Sequence, residues 1–245
     1  MKIAIIGYGR MGHAVEEIAI EAGHDIVCRI DPLLGSSEIT SESLGEAEVA
    51  IEFSVPDAAT DNICSIAEAG VDVVVGTTGW HTGMGKAATV VEASNTGLIH
   101  APNFSLGVHL FMGLVRKAAR QVNALEDYDL HVLEEHHKHK IDCPSGTAIH
   151  LADMLVEEID RKKYWSGSSS EDMLDPEVLY VFSKRTGEIP GTHIVKLEGP
   201  DDCIEFRHES HGRVAYARGA VQAAEWIQGR SGVFTLDDML KLKAT

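Results

Sequence analysis

The chain has 245 residues, 44% hydrophobic and 24% charged, which excludes disorder and a disulfide-stapled miniprotein and leaves room for one or two cored domains. Its 38 acidic against 21 basic side chains give a net charge of −17, which repels phosphate backbones and argues against nucleic-acid binding. No apolar run approaches the roughly 20 residues that span a bilayer, and the N-terminus turns glycine-rich too early for a signal peptide, so no membrane partner and a cytoplasmic location are expected.

Over the first hundred residues, short β-branched runs alternate with helical patterns. Strands are expected at 2–6, 26–30, 49–53, 71–75 and 98–101, several apolar almost throughout, as strands buried on both faces should be. Helices are expected between them at 11–22, 57–69 and 85–93. Such alternation predicts right-handed βαβ crossovers and a Rossmann-like, doubly wound parallel sheet in an α/β fold.

After about residue 103 the pattern changes. A helix at 106–122, a strand at 128–135 and a helix at 146–159 precede a Ser-, Gly- and acid-rich stretch, 165–175, that reads as a loop. Residues 192–197 and 202–208 alternate and flank Gly199-Pro200-Asp201, a turn signal, so they should pair antiparallel. The expected organisation is a first domain of 1–104 plus 213–245, closed by helices at 217–227 and 236–242, and a second, smaller α+β domain of 105–212. Cys28, Cys64, Cys143 and Cys203 form no CxxC pair and read as bystander thiols, with no disulfide.

Gly7-Tyr8-Gly9-Arg10-Met11-Gly12 is a GxGxxG, weak alone, but here it ends an expected strand and opens an expected helix. The first glycine suits a sharp turn, the second admits a pyrophosphate to the backbone, and the third lets helix and sheet pack closely. Asp31, 19 residues past Gly12, sits where a carboxylate binds ribose hydroxyls. The cofactor is therefore NADH or NADPH. Asp31 repels a 2′-phosphate and favours NADH, while Arg10 and Arg29 are nearby cations that could offset it. Gly76, Thr77 and Thr78 follow one strand, and Ala101, Pro102, Asn103 and Phe104 follow another. Both loops fall on the edge that lines a cofactor crevice, although each alone would be an ordinary turn.

The stretch from Glu134 to Ala148 is the most informative. His136, His137, Lys138, His139 and Lys140 stand in a row inside an acidic protein, and Pro144-Ser145-Gly146-Thr147 opens a helix whose amides can bind a carboxylate. These features suit a small dianion with a proton donor beside it. Zinc on His136, His137 and His139 is the poorer alternative, since neighbouring strand residues face opposite ways and no further ligand is evident; no metal is assigned. A solvated basic face is the bland alternative. Asp142 reads as a capping or salt-bridging residue.

With these residues in view, the chain resembles the dihydrodipicolinate reductase family over nearly its whole length. The resemblance is carried by 7–12, 76–80, Asn103-Phe104-Ser105, 136–148, Pro190-Gly191-Thr192-His193, Arg213 and Gly219-Ala220. Its specific part is His-His-x-x-x-Lys-x-Asp-x-Pro-Ser-Gly-Thr. It implies a pyridine-nucleotide-dependent oxidoreductase of lysine and diaminopimelate biosynthesis acting on a small cyclic dicarboxylate. Hydride would reach ring C4 and a proton C3. His136 would be the acid/base residue and Lys140 a proton donor, with His137, Gly146 and Thr147 holding a substrate carboxylate. Arg213 is similar to an arginine near the cofactor. A homotetramer built through the second domain's sheet is implied as well. The chain departs from the family's commoner form in shorter loops near 32–47 and 165–184, in Cys143, and in His13 where a basic residue is frequent. Two rival functions are a dehydrogenase of aspartate or homoserine and a nucleotide-sensing binding protein, the latter having little need of both His136 and Lys140.

Overall fold

A computed structural model of the chain describes residues 1–168 and 175–241. The chain divides into two compact units, Met1–Leu106 with Arg213–Thr245, and Gly107–Gly212.

The first unit begins β1 (Lys2–Ile6), α1 (Arg10–Glu21), β2 (Asp25–Ile30), α2 (Ser41–Leu44), β3 (Val49–Glu52), α3 (Pro56–Glu68), β4 (Asp72–Val75), α4 (Met84–Ala93) and β5 (Gly97–His100). Alternation along β1 explains why its sequence is apolar throughout. Ile3 and Ile5 join Val15, Ile18 and Ala19 of α1 in one core cluster, while Ala4 and Ile6 join Ile63, Ile66 and Val91 of α3 and α4 in another. A strand clad by helices on both faces has no side left for polar residues.

The second unit contains α5 (Leu106–Val122), β6 (Asp129–His136), α6 (Gly146–Glu158), β7 (Tyr164–Ser168), β8 (Val178–Arg185), β9 (Thr192–Glu198) and β10 (Cys203–Glu209). The strands form a mixed sheet in the order β10-β9-β6-β8-β7. β9 pairs antiparallel with both β6 and β10, whereas β6 and β7 run parallel to β8. One face packs Leu130, Val132, Leu179, Val181, Val195 and Leu197 against Phe111 and Val115 of α5 and Leu151 and Leu155 of α6.

The chain then returns to the first unit with α7 (Val214–Ile227), β11 (Gly232–Thr235) and α8 (Leu236–Leu240). β11 pairs parallel with β5, completing a six-stranded parallel sheet ordered β11-β5-β4-β3-β1-β2. Ala217, Ala220, Val221 and Ile227 of α7 lie in the same cluster as α1.

The loop expected at 165–175 is a strand over its first four residues; positions 169–174 lie outside the described residues. Its Ser- and Gly-rich composition has little strand propensity, and backbone pairing with β8 overrides it. Similarly, 32–47 holds the single turn Pro32–Leu34 and α2 rather than plain loop. β8 and β11 were not anticipated.

Candidate active site

The glycine loop joins β1 to α1 as its spacing requires. Gly7 has φ +84, and a Cβ there would lie 2.3 Å from the Phe53 carbonyl oxygen. At Gly12 a Cβ would lie 2.4 Å from the Gly7 carbonyl oxygen. Gly9, the N-cap of α1, is different: nothing stands within 4 Å of its Cβ position, so the backbone amides are open to a ligand. A cavity of about 330 Å³ opens here, lined by Gly9, Arg10, Met11, Gly76, Thr77 and Thr78, and also by Phe53, Ser54 and Pro56. The last three come from the β3–α3 loop and the first residue of α3, which belong to the same sheet edge and were legible by the same rule. Beneath it, buried Glu52 accepts from the Ser54 amide at 3.2 Å and from Asn62 Nδ2 at 3.2 Å, and that amide also meets Thr77 Oγ1 at 2.8 Å.

Asp31 directly follows β2, where its Oδ2 accepts from the Tyr8 amide at 2.6 Å and its Oδ1 from the Leu33 amide at 2.8 Å. Tyr8 lies tilted against the His13 ring, centroids 4.1 Å apart, and donates its hydroxyl to Glu16. Arg29 is committed to Glu16 by two hydrogen bonds, that from Nε measuring 3.0 Å. The last expected loop divides: Ala101 and Phe104 are core residues, while Pro102 is exposed and Asn103 half-buried. Asn103 Oδ1 accepts from the Ser105 amide at 2.8 Å.

In the second unit, β6 ends on His136, and Glu134 two residues earlier shares its face of the strand. Glu134 is 1% exposed. Its Oε2 meets His136 Nδ1, and its Oε1 accepts from Arg185 Nη2 at 2.7 Å and from the Ser145 amide at 3.3 Å. Burial works to raise this carboxyl, but hydrogen bonds from His136 and Arg185 outweigh it and hold it down at about 2. His193 of β9 lies opposite Glu134, its ring 5.2 Å from that of His136 and its Nε2 3.1 Å from Ser145 Oγ. Burial, helped by repulsion from His136, pushes His193 down to about 4, so it is neutral near pH 7.

Ser145 also N-caps α6, its Oγ accepting from the Ala148 amide at 3.3 Å. The exposed Gly146 and half-buried Thr147 begin the helix. Lys140 is half-buried, with Nζ 2.9 Å from Asp142 Oδ1. Burial tends to raise the Asp142 carboxyl, and the Lys140 ammonium overcomes this and holds it below the usual carboxylate range. His137 is half-buried. Lys138 and His139 are exposed beside Glu188, at 3.4 and 3.9 Å, so that part of the basic run is a solvated face.

Ligand atoms of Glu134, His136 and His193 lie within 4.8 Å of one another. Each is already used in a hydrogen bond, and the Arg185 guanidinium opposes a dication, so the trio fits a polar network better than a metal centre. Glu134 was legible, since a residue two before His136 on a strand must share its face. Arg185 was not, and His193 was read only as part of the family resemblance, because cross-strand register is absent from a single sequence.

Two family models match consecutive parts of the chain. The family model described as dihydrodipicolinate reductase, N-terminus, matches residues 1–104, and that for its C-terminus matches 107–240. The chain is 40% identical over 240 residues to 4-hydroxy-tetrahydrodipicolinate reductase of Christiangramia forsetii, covering 98% of each. It is 32% identical to the same enzyme of a Janthinobacterium species, covering 99% of each. Among solved structures, dipicolinate-bound dihydrodipicolinate reductase from Paenisporosarcina sp. TG-14 shares the fold, with TM-score 0.78 at 22% identity over 96% of this chain and 97% of that one.

Proposed function

The chain belongs to the dihydrodipicolinate reductase family of dinucleotide-dependent oxidoreductases, and from that premise we propose how its residues divide the work on a small cyclic dicarboxylate. The observation that carries the proposal is the short passage from β6 to α6. Within it, His136 ends a strand, Lys140 follows in the turn, and the amides of Gly146 and Thr147 open a helix.

The dinucleotide binds the first unit. Gly9 offers an uncrowded backbone to the pyrophosphate, and Arg10 and Met11 line the cavity beside it together with Gly76, Thr77 and Thr78. Asp31, held in place by two amides, accepts from the ribose hydroxyls. When bound, the reduced nicotinamide supplies the hydride that adds to ring C4. The electron pair of the conjugated system then moves toward the ring nitrogen, and a proton is taken up at C3. On the second unit, His137 and the α6 amides hold a substrate carboxylate, Lys140 donates the proton, and His136 serves as the acid/base residue. The same cations stabilise the negative charge that develops on the ring.

NADH is the preferred form. A 2′-phosphate would meet the Asp31 carboxylate, and Arg29 is already neutralised by Glu16. The chain acts as a homotetramer through the second unit's sheet, whose face opposite α5 and α6 carries Leu133, Tyr180, Phe182 and Ile194. It works in the cytoplasm, a setting consistent with its four unpaired thiols.

The test is oxidation of NADH and of NADPH by the purified protein with freshly made condensation product of pyruvate and aspartate semialdehyde. Turnover should be faster with NADH at limiting cofactor. Absence of turnover with both would refute the assignment. Light scattering should give four times the mass of one chain.

A further inference from the structure

Glu134 has no part in the chemistry above, yet it is among the most buried charges of the second unit. An uncompensated buried carboxylate is strongly destabilising, so its partners account for its presence. Those partners divide its two oxygens. Arg185 at 2.7 Å and the Ser145 amide at 3.3 Å anchor Oε1, which leaves Oε2 fixed against His136 Nδ1. The other imidazole nitrogen is turned the opposite way: a Cβ at Gly191 would stand 2.9 Å from His136 Nε2.

We propose that Glu134 is the positioning residue for His136, its anchored carboxylate fixing the imidazole as the Nδ1–H tautomer with Nε2 presented past Gly191. An anion on Nδ1 demands a proton there, so Nε2 is left to accept a proton or, once charged, to give it up. Arg185 keeps the carboxylate charged and stops it from swinging away. Through its amide and hydroxyl, Ser145 ties this pair to the start of α6 and to His193. The inference rests on the reading of His136 as the acid/base residue.

The titratable and charged groups around His136 are Glu134 on its own strand, Arg185 on β8, and His193 on β9 with His208 beyond it on β10. Lys140 and Asp142 lie in the following turn. Among the described residues Glu134 alone bonds Nδ1, so its removal should be distinguishable from a general change of field.

In Glu134→Gln the amide can still accept from Arg185 but must offer N–H to His136. Turnover should fall about 10- to 100-fold with substrate and NADH KM held within about threefold. The pH limb of kcat that this ring governs should shift as well, because the imidazole loses its anionic partner on Nδ1. Glu134→Asp, which keeps the charge, should restore that limb while turnover remains intermediate. Nitrogen-15 spectra should show the wild-type ring protonated on Nδ1 at high pH and the Gln variant protonated on Nε2. A native pH limb and native turnover in Glu134→Gln overturn the inference, as does a wild-type ring protonated on Nε2. If Glu134→Gln fails to fold, the wild-type spectrum decides. His136→Gln separates the two claims: if it remains active, the acid/base reading fails, whereas an inactive His136→Gln beside a native Glu134→Gln sinks only the positioning role.

Discussion

Lys140 keeps 23% of its side chain exposed and holds its ammonium 2.9 Å from Asp142, so it is tethered but still able to turn toward a substrate. Replacing it by alanine should cut turnover by about 10²- to 10⁴-fold, the usual worth of a general acid, with NADH affinity nearly unchanged by calorimetry. Gly191→Ala adds a methyl 2.9 Å from His136 Nε2 and should impair turnover comparably while nucleotide binding survives. In the first unit, Glu16→Ala releases Arg29. Steady-state kinetics should then show the NADH preference narrowed by about fivefold, the worth of one exposed charge contact of about 1 kcal/mol. At this scale the sequence conveys identities better than partners. The row from His136 to Lys140 is plain to read, but apart from half-buried His137 its division into a buried histidine, a tethered lysine and two solvated members depends on Glu134, Asp142 and Glu188. Of these, Glu188 lies on a distant part of the chain.

The elements show a parallel contrast. β1, β3, β4 and β5 fill their own sequences with apolar residues because helices cover both faces, which makes them readable without a structure. β7 is held by main-chain pairing to β8, and a Tyr-Trp-Ser-Gly-Ser sequence gives no sign of that. The α6 N-terminus is where an element-level change should register most clearly. Ser145→Ala removes the cap on Ala148 and strips His193 Nε2 of its partner, costing about 1–2 kcal/mol. Thermal unfolding should drop by roughly 2–4 °C for each kcal/mol lost in a chain of this size. Ser145→Thr, which retains the hydroxyl, should recover most of the loss.

Across the whole molecule, the buried polar network makes stability depend on acidity. His193, pushed down to about 4, is kept neutral by the fold, so its contribution is full above its ordinary value near 6.5 and declines as pH falls toward 4. Glu134, held at about 2, contributes fully above its ordinary value near 4.5 and loses that contribution as pH falls toward 2. Melting temperature should therefore decline in two stages on acidification. His193→Gln should flatten the first stage, between about pH 6.5 and 4, and leave the second in place; an unchanged first stage would show that another group controls it.

The parallel sheet is also built from both ends of the polypeptide. β11 and α7, which complete it, come only after the second unit has been threaded through the chain. On the ribosome, residues 1–106 therefore emerge with the apolar faces of β1 and β3 uncovered on the side later closed by Ala217, Ala220, Val221 and Ile227. The inserted 107–212, continuous in the chain, has all its strands before that closure is possible. Nascent protein should consequently reach a protease-resistant second unit while its amino-terminal half still recruits chaperones, and a chain stalled before residue 213 should remain in that half-finished condition.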